Sequence, residues 1–174
     1  DARENGATSA NFLCSIDPLA SPVSGQGRMK FFLNNASVYY GTTTVNYNTW
    51  THVAWVRSGT TLTSYVNGVA GGTATVSGTI TGASTNPVYV GTKDNSLAGY
   101  GSVGYISSFR IVNGTAVYTS SFTPPQSVLS AVPNTSLLLN VLDSTNFIAD
   151  GSLNRYTVTS SGVVWNATGP FNGQ

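Results

Sequence analysis

The sequence predicts an all-β fold, a two-sheet antiparallel sandwich or jelly roll, and three observations predict it. No stretch keeps the 3.6-residue apolar period of an amphipathic helix. Short runs rich in Val, Ile, Thr, Tyr, Phe and Trp recur along the chain, each bounded by Gly, Pro, Asn or Ser. Charged residues make up 7% of the 174, so polarity comes from Ser, Thr and Asn, which suit short strands joined by tight turns.

The elements follow in order. The first candidate strands are 12–16, 28–33 and 36–40, with Asn34-Asn35 as a turn between the last two. Cys14 lies in the run Phe12-Leu13-Cys14-Ser15-Ile16. As the sole cysteine it excludes an internal disulfide framework, and it is expected to be a small buried hydrophobe.

The clearest signal is the hairpin formed by 51–57 and 61–67. Alternation puts Val53, Trp55 and Arg57 on one face and His52, Ala54 and Val56 on the other. Both faces are largely apolar, which predicts a strand covered on both sides. Ser58-Gly59 turns the chain between the two, and Asn67-Gly68 supplies the positive φ of a tight turn after them. Gly71-Gly72 reads as a further turn ahead of strands 74–77 and 88–91.

The run 104–112 sets Ile106, Ser108, Arg110 and Val112 against Tyr105, Ser107, Phe109 and Ile111. Asn113-Gly114 then turns the chain, and Pro124-Pro125 ends the block, because neither proline can serve an interior strand. Residues 126–135 read as a connector. Strands 136–141, 156–160 and 163–165 follow, so the C-terminal part carries strand content of its own.

Composition excludes several functions. The net charge is +1 and the seven basic residues are scattered singly, so nucleic acid is not the expected partner. No apolar run approaches the roughly 20 residues that span a bilayer, so no membrane insertion is expected. The N-terminus lacks a basic segment followed by an apolar stretch, so no signal peptide is read there. The chain begins at Asp1 rather than Met, as a processed product or a fragment would.

Three stretches together resemble a known family. Trp50-Thr51-His52-Val53-Ala54-Trp55-Val56-Arg57-Ser58-Gly59, with Tyr65-Val66-Asn67-Gly68, resembles the central hairpin of laminin-G-like domains in the concanavalin A-like lectin/glucanase superfamily. Val90-Gly91 and Gly104-Tyr105-Ile106-Ser107-Ser108-Phe109-Arg110-Ile111 resemble the later strands of that branch. Gly114-Thr115-Ala116-Val117-Tyr118-Thr119, with Phe122-Thr123-Pro124-Pro125, is similar to laminin-G-like repeats in bacteriophage virion proteins such as large fibre or surface proteins. The resemblance is strongest over 50–125.

The tail motifs Asn134-Thr135-Ser136-Leu137-Leu138-Leu139, Asn146-Phe147-Ile148-Ala149-Asp150 and Tyr156-Thr157-Val158-Thr159 look like the segment that joins one such repeat to the next. The resemblance therefore implies a laminin-G-like sandwich over 1–125, a connector over 126–135, and strands within 136–174 that complete the sandwich or pair with a neighbouring subunit.

Catalysis is not expected. Glycoside hydrolysis on this fold needs a pair of carboxylates flanking the scissile bond. Glu4 is the sole glutamate, and Asp1, Asp17, Asp94, Asp143 and Asp150 form no cluster in sequence. His52 and Cys14 are the sole histidine and the sole thiol, too few for a zinc site. On its strand His52 is expected to be a packed, hydrogen-bonded structural residue.

Binding remains. The resemblance implies a sugar site, and exposed aromatic rings beside amides and carboxylates are its usual material. Tyr100, with Asp94 and Asn95 in the loop 92–103, is the candidate, against a role at the core edge. Tyr39-Tyr40 and Tyr47 carry the same ambiguity. No cofactor is expected, though calcium is a candidate at Asp94 or Asp143, where Lys93-Asp94-Asn95-Ser96 and Asp143-Ser144-Thr145-Asn146 offer oxygens; the alternative is ordinary Asx turns.

The expectation is a non-enzymatic virion module on the virion surface or outside the cell: a fibre, spike or capsid-decoration protein. Its partners would be other virion proteins, copies of itself and host-surface glycans. The alternative is a carbohydrate-binding module of a secreted bacterial protein.

Overall fold

The computed structural model describes residues 2–3, 10–19, 24–33, 37–78, 87–92, 103–141, 143–145 and 147–171. Among them lie nine strands and no helix: β1 (Ala2–Arg3), β2 (Ala10–Pro18), β3 (Gln26–Leu33), β4 (Ser37–Asn46), β5 (Val53–Ser58), β6 (Thr61–Val66), β7 (Val69–Thr75), β8 (Ser108–Val112) and β9 (Thr135–Asn140). Every strand pair is antiparallel. The chain divides into two compact units. One is Asp1–Val103 with Tyr118–Thr123, and the other is Gly104–Val117 with Pro124–Gln174.

The first unit holds two sheets, ordered β1-β2-β3-β4 and β5-β6-β7. Alternation explains what each strand buries. In β3, Gly27, Met29, Phe31 and Leu33 point inward while Arg28, Lys30 and Phe32 point out. In β6, Leu62, Ser64 and Val66 point inward. Phe31 and Leu33 of one sheet pack on Leu62 and Val76 of the other segment, with Phe12, Tyr39 and Trp55 around them. Met29, Val45 and Val66 form a second group against the other side of Trp55. Each such side chain removed from water contributes roughly 1.5–3 kcal/mol. Tyr39 spans the gap, its hydroxyl donating to the Thr75 carbonyl at 3.0 Å.

Two bulges bring the backbones unusually close. The register jumps from Arg28↔Thr44 to Lys30↔Tyr40, so Met29 alone faces Gly41, Thr42 and Thr43. It jumps again between Thr63↔Thr73 and Tyr65↔Ala70, so Ser64 faces both Gly71 and Gly72. These bulges meet inside the sandwich. A Cβ on Gly41 would lie 2.8 Å from Ser64 Oγ, and one on Gly71 would lie 2.7 Å from Thr43 Oγ1. Gly71-Gly72 is therefore a bulge and not the expected turn: Gly72, at φ 95°, kinks the strand without ending it.

The other face of β5–β7 is covered as well. A strap from Tyr118 to Phe122 lies on it, with those two rings stacked at 3.6 Å. His52 meets both rings edge-on, and Tyr65 tilts against Phe122 at 5.4 Å. The Phe122 N–H donates to the Gly68 carbonyl and fixes the strap to the Asn67-Gly68 turn. His52 is thus packed as expected, and its backbone is bonded in both directions to Asn67.

In the second unit β8 pairs with β9, Phe109 facing Leu139 and Arg110 facing Leu138. Beyond β9, the buried Asp150 carboxylate gathers the chain. Its Oδ1 accepts from the N–H groups of Leu138 and Ser152, and its Oδ2 from the Tyr156 N–H. Ser152 Oγ lies 2.8 Å from Oδ2. Burial alone would raise the Asp150 pKa; the three backbone donors and the Ser152 hydroxyl outweigh it and hold the carboxyl below its ordinary value.

Two further expectations need correction. Cys14 keeps solvent-accessible surface, though the protein packed around it desolvates the thiol and pushes its pKa up to about 12. It sits opposite Phe31 on the core side of its sheet, but toward a flank where Ile16 is also 43% exposed. The runs 88–91, 156–160 and 163–165 form no strands. Gly91 and Gly162 adopt positive φ and break the extended path, and Val163 and Val164 stand in solvent. An apolar run becomes a strand only where a neighbour accepts its backbone, and a short run does not specify one.

Candidate functional site

The outward face of β2–β4 carries the densest set of recognition groups among the described residues. Strand parity puts Ser15 and Asp17 of β2, Arg28 and Lys30 of β3, and Tyr40 and Thr44 of β4 on it. Alternation inside the run 28–33 thus brings two of the chain's seven basic residues onto one face. The β4 bulge does the rest. By opposing Lys30 with Tyr40 and Arg28 with Thr44, it leaves the Tyr40 ring within reach of both cations.

The geometry is specific. The Arg28 guanidinium carbon lies 3.8 Å from the Tyr40 ring centroid. Lys30 Nζ lies 5.9 Å from the same centroid and 2.9 Å from Asp17 Oδ2. Ser15 Oγ donates to the other Asp17 oxygen at 2.8 Å. At one end of the face the Gln26 amide donates to Asn46 Oδ1 at 2.8 Å. The Lys30–Asp17 pair is partly solvated and contributes about 0–1 kcal/mol. The Arg28–Tyr40 contact adds about 0.5–1 kcal/mol. Neither is needed to hold the sheet, which its core side already secures.

Chemically, the face offers an exposed ring, one carboxylate, two cations, hydroxyls and amides on rigid strands. That is a binding inventory. Among the described residues no three of His, Cys, Asp and Glu converge on a point where a metal ion would sit.

The expected site residues fall differently. Asp94, Asn95 and Tyr100 lie outside the described residues. Asp143 is described and exposed: its Oδ1 accepts from the Thr145 N–H at 2.7 Å and from the Thr145 hydroxyl, the geometry of an Asx turn. Strand alternation splits the Tyr39-Tyr40 ambiguity, Tyr39 joining the core and Tyr40 standing 42% exposed on the outer face. Tyr47 sits in the turn after β4, with its hydroxyl over Gly27.

Arg28, Lys30 and Asp17 were not singled out from sequence. The signal was present: two cations two residues apart in a strand must share a face. What was missing was the register that sets Tyr40 between them.

A laminin-G family model, described as the concanavalin A-like lectin/glucanases superfamily, matches residues 3–121. No curated protein and no solved structure matches the chain.

Proposed function

We propose, for a chain that belongs to the laminin-G-type family of the concanavalin A-like lectin/glucanases superfamily, a non-enzymatic role: a virion structural and adhesion module that binds host-surface glycans. The observation that carries the binding half of this reading is Tyr40. Its ring stands exposed on a rigid sheet face, beside a carboxylate, hydroxyls and oriented cations. Aromatic rings bordered by such polar groups suit a ligand whose own faces alternate between C–H patches and hydroxyls. The loop residues Asp94, Asn95 and Tyr100 form a second candidate for the same activity.

The virion half rests on the similarity of Gly114–Thr119 and Phe122–Pro125 to repeats of bacteriophage fibre and surface proteins. Low charge and Ser/Thr richness suit a displayed β module with other virion proteins or its own copies as neighbours. The lack of a paired-carboxylate motif supports a role without hydrolysis.

A glycan array probed with the wild type, Tyr40→Ala and Tyr100→Ala tests the binding half. Signals lost in one of the two variants support the reading and assign the site; no signal on any glycan contradicts it. Labelled antibody on purified virions tests the other half, with ordered labelling expected and unlabelled particles contradicting it.

A further inference from the structure

On the reading that this module binds glycans, we infer that its outer sheet face selects sugars bearing a carboxylate, with Arg28 as the group that recognises it. The other described arginine side chains with assigned partners spend their donors on the protein. Arg57 donates from Nε to the Gly59 carbonyl and from Nη2 to the Gly78 carbonyl, and Arg110 donates to the Ser130 carbonyl. Arg28 has no acceptor among the described residues. Its guanidinium carbon sits over the Tyr40 ring, 3.8 Å from the centroid, and the residue is exposed, so the ring holds the group in place while solvent reaches its donors.

A planar fork held in place is matched by a planar anion. Two parallel N–H···O bonds to a carboxylate use the in-plane donors and leave the stack with Tyr40 undisturbed. Stacking has already restricted the side chain, so less freedom is lost on binding. The neighbouring acid does not compete. Asp17 is held by Lys30 at 2.9 Å and by the Ser15 hydroxyl at 2.8 Å. Two cations and one carboxylate leave the face locally positive, in a chain of which 7% is charged. Around the fork, Thr44 stands opposite Arg28 and Tyr40 opposite Lys30, so the hydroxyls and ring edge of a sugar would meet partners on the same plane of strands.

The test uses the full chain and calorimetric titration with a short oligogalacturonate and with the same oligomer methyl-esterified, which keeps the sugar and removes the charge. Arg28→Gln removes the cation; Arg28→Lys keeps the charge and removes the fork. Arg28 is solvent-facing, and near-UV circular dichroism identical to the wild type checks the fold. The expected result is binding of the acid form, loss of about tenfold or more on esterification, and a similar loss in both variants. Equal binding of acid and ester, or Arg28→Gln binding as the wild type does, overturns the inference while the glycan reading stands. If neither oligomer binds and the array is also blank, the inference and the reading fall together.

Discussion

Arg28 of β3 lays its guanidinium carbon 3.8 Å from the centroid of the Tyr40 ring on β4, on the solvent side of the four-stranded sheet. The contact exists because of a bulge: Met29 faces three residues of β4, which sets Tyr40 opposite Lys30 and within reach of Arg28. Tyr40→Ala should therefore abolish glycan signals assigned to this face. It should cost only about 0.5–1 kcal/mol of unfolding free energy, the contribution of the Arg28 contact, since the ring stands outside the core. Denaturant unfolding beside the binding assay checks both halves.

The aromatic strap makes a contrasting prediction. Phe122 stacks on Tyr118 at 3.6 Å and tilts against Tyr65 and His52, and Tyr65 is buried beneath them. Phe122→Ala should cost about 3 kcal/mol, from lost burial and lost ring pairing. Phe122→Leu, which keeps volume without the ring, should recover about half. Chemical denaturation reads both; equal stability of Phe122→Ala and the wild type would mean that the strap is not packed as described.

Gly41 tests the meeting of the two bulges. A methyl group there would sit 2.8 Å from Ser64 Oγ, a side chain that is 1% exposed and donates to the Gly71 carbonyl. Gly41→Ala should destabilise by roughly 1–3 kcal/mol through overpacking. Gly59→Ala is the control in open space, where strain at φ 60° is the cost and no atom lies within 4 Å. The double variant Gly41→Ala/Ser64→Ala should be more stable than the two separate losses predict, because removing the hydroxyl relieves the clash.

Asp150 predicts a pH dependence. Its carboxylate satisfies the N–H groups of Leu138, Ser152 and Tyr156, and its folded pKa lies below the unfolded value of about 3.9. A depressed acid stabilises the fold above the unfolded pKa and loses that contribution as pH falls through the folded one. Asp150→Asn should therefore cost on the order of 2–3 kcal/mol at neutral pH, from buried donors left without an acceptor. The gap to the wild type should narrow below about pH 4. A gap that stays constant from pH 7 to pH 2 would contradict this role for the carboxylate.

The fold class was legible because strand alternation and turn residues agree at most positions. In β3, Met29, Phe31 and Leu33 alternate with Arg28, Lys30 and Phe32, and the structure buries the first set. Asn67-Gly68 turns with positive φ at both residues, as its type requires. What was not legible depended on neighbours distant in sequence. Gly71-Gly72 carries the same local signal as a turn, and only the approach of Thr43 makes it a bulge. Asp150 looks like any loop aspartate until the fold brings the Leu138 and Tyr156 amides to it. The run 163–165 has strand composition but no partner strand among the described residues. Tyr40 could be named as an aromatic candidate, yet its pairing with Arg28 required a register that alternation alone does not give.

The most direct test of the central claim is amide chemical-shift mapping during titration with whichever glycan gives the strongest array signal. Binding at the proposed face predicts shifts concentrated at Ser15, Asp17, Arg28, Lys30, Tyr40 and Thr44, absent in Tyr40→Ala. Shifts concentrated elsewhere, with those six unmoved, would contradict it.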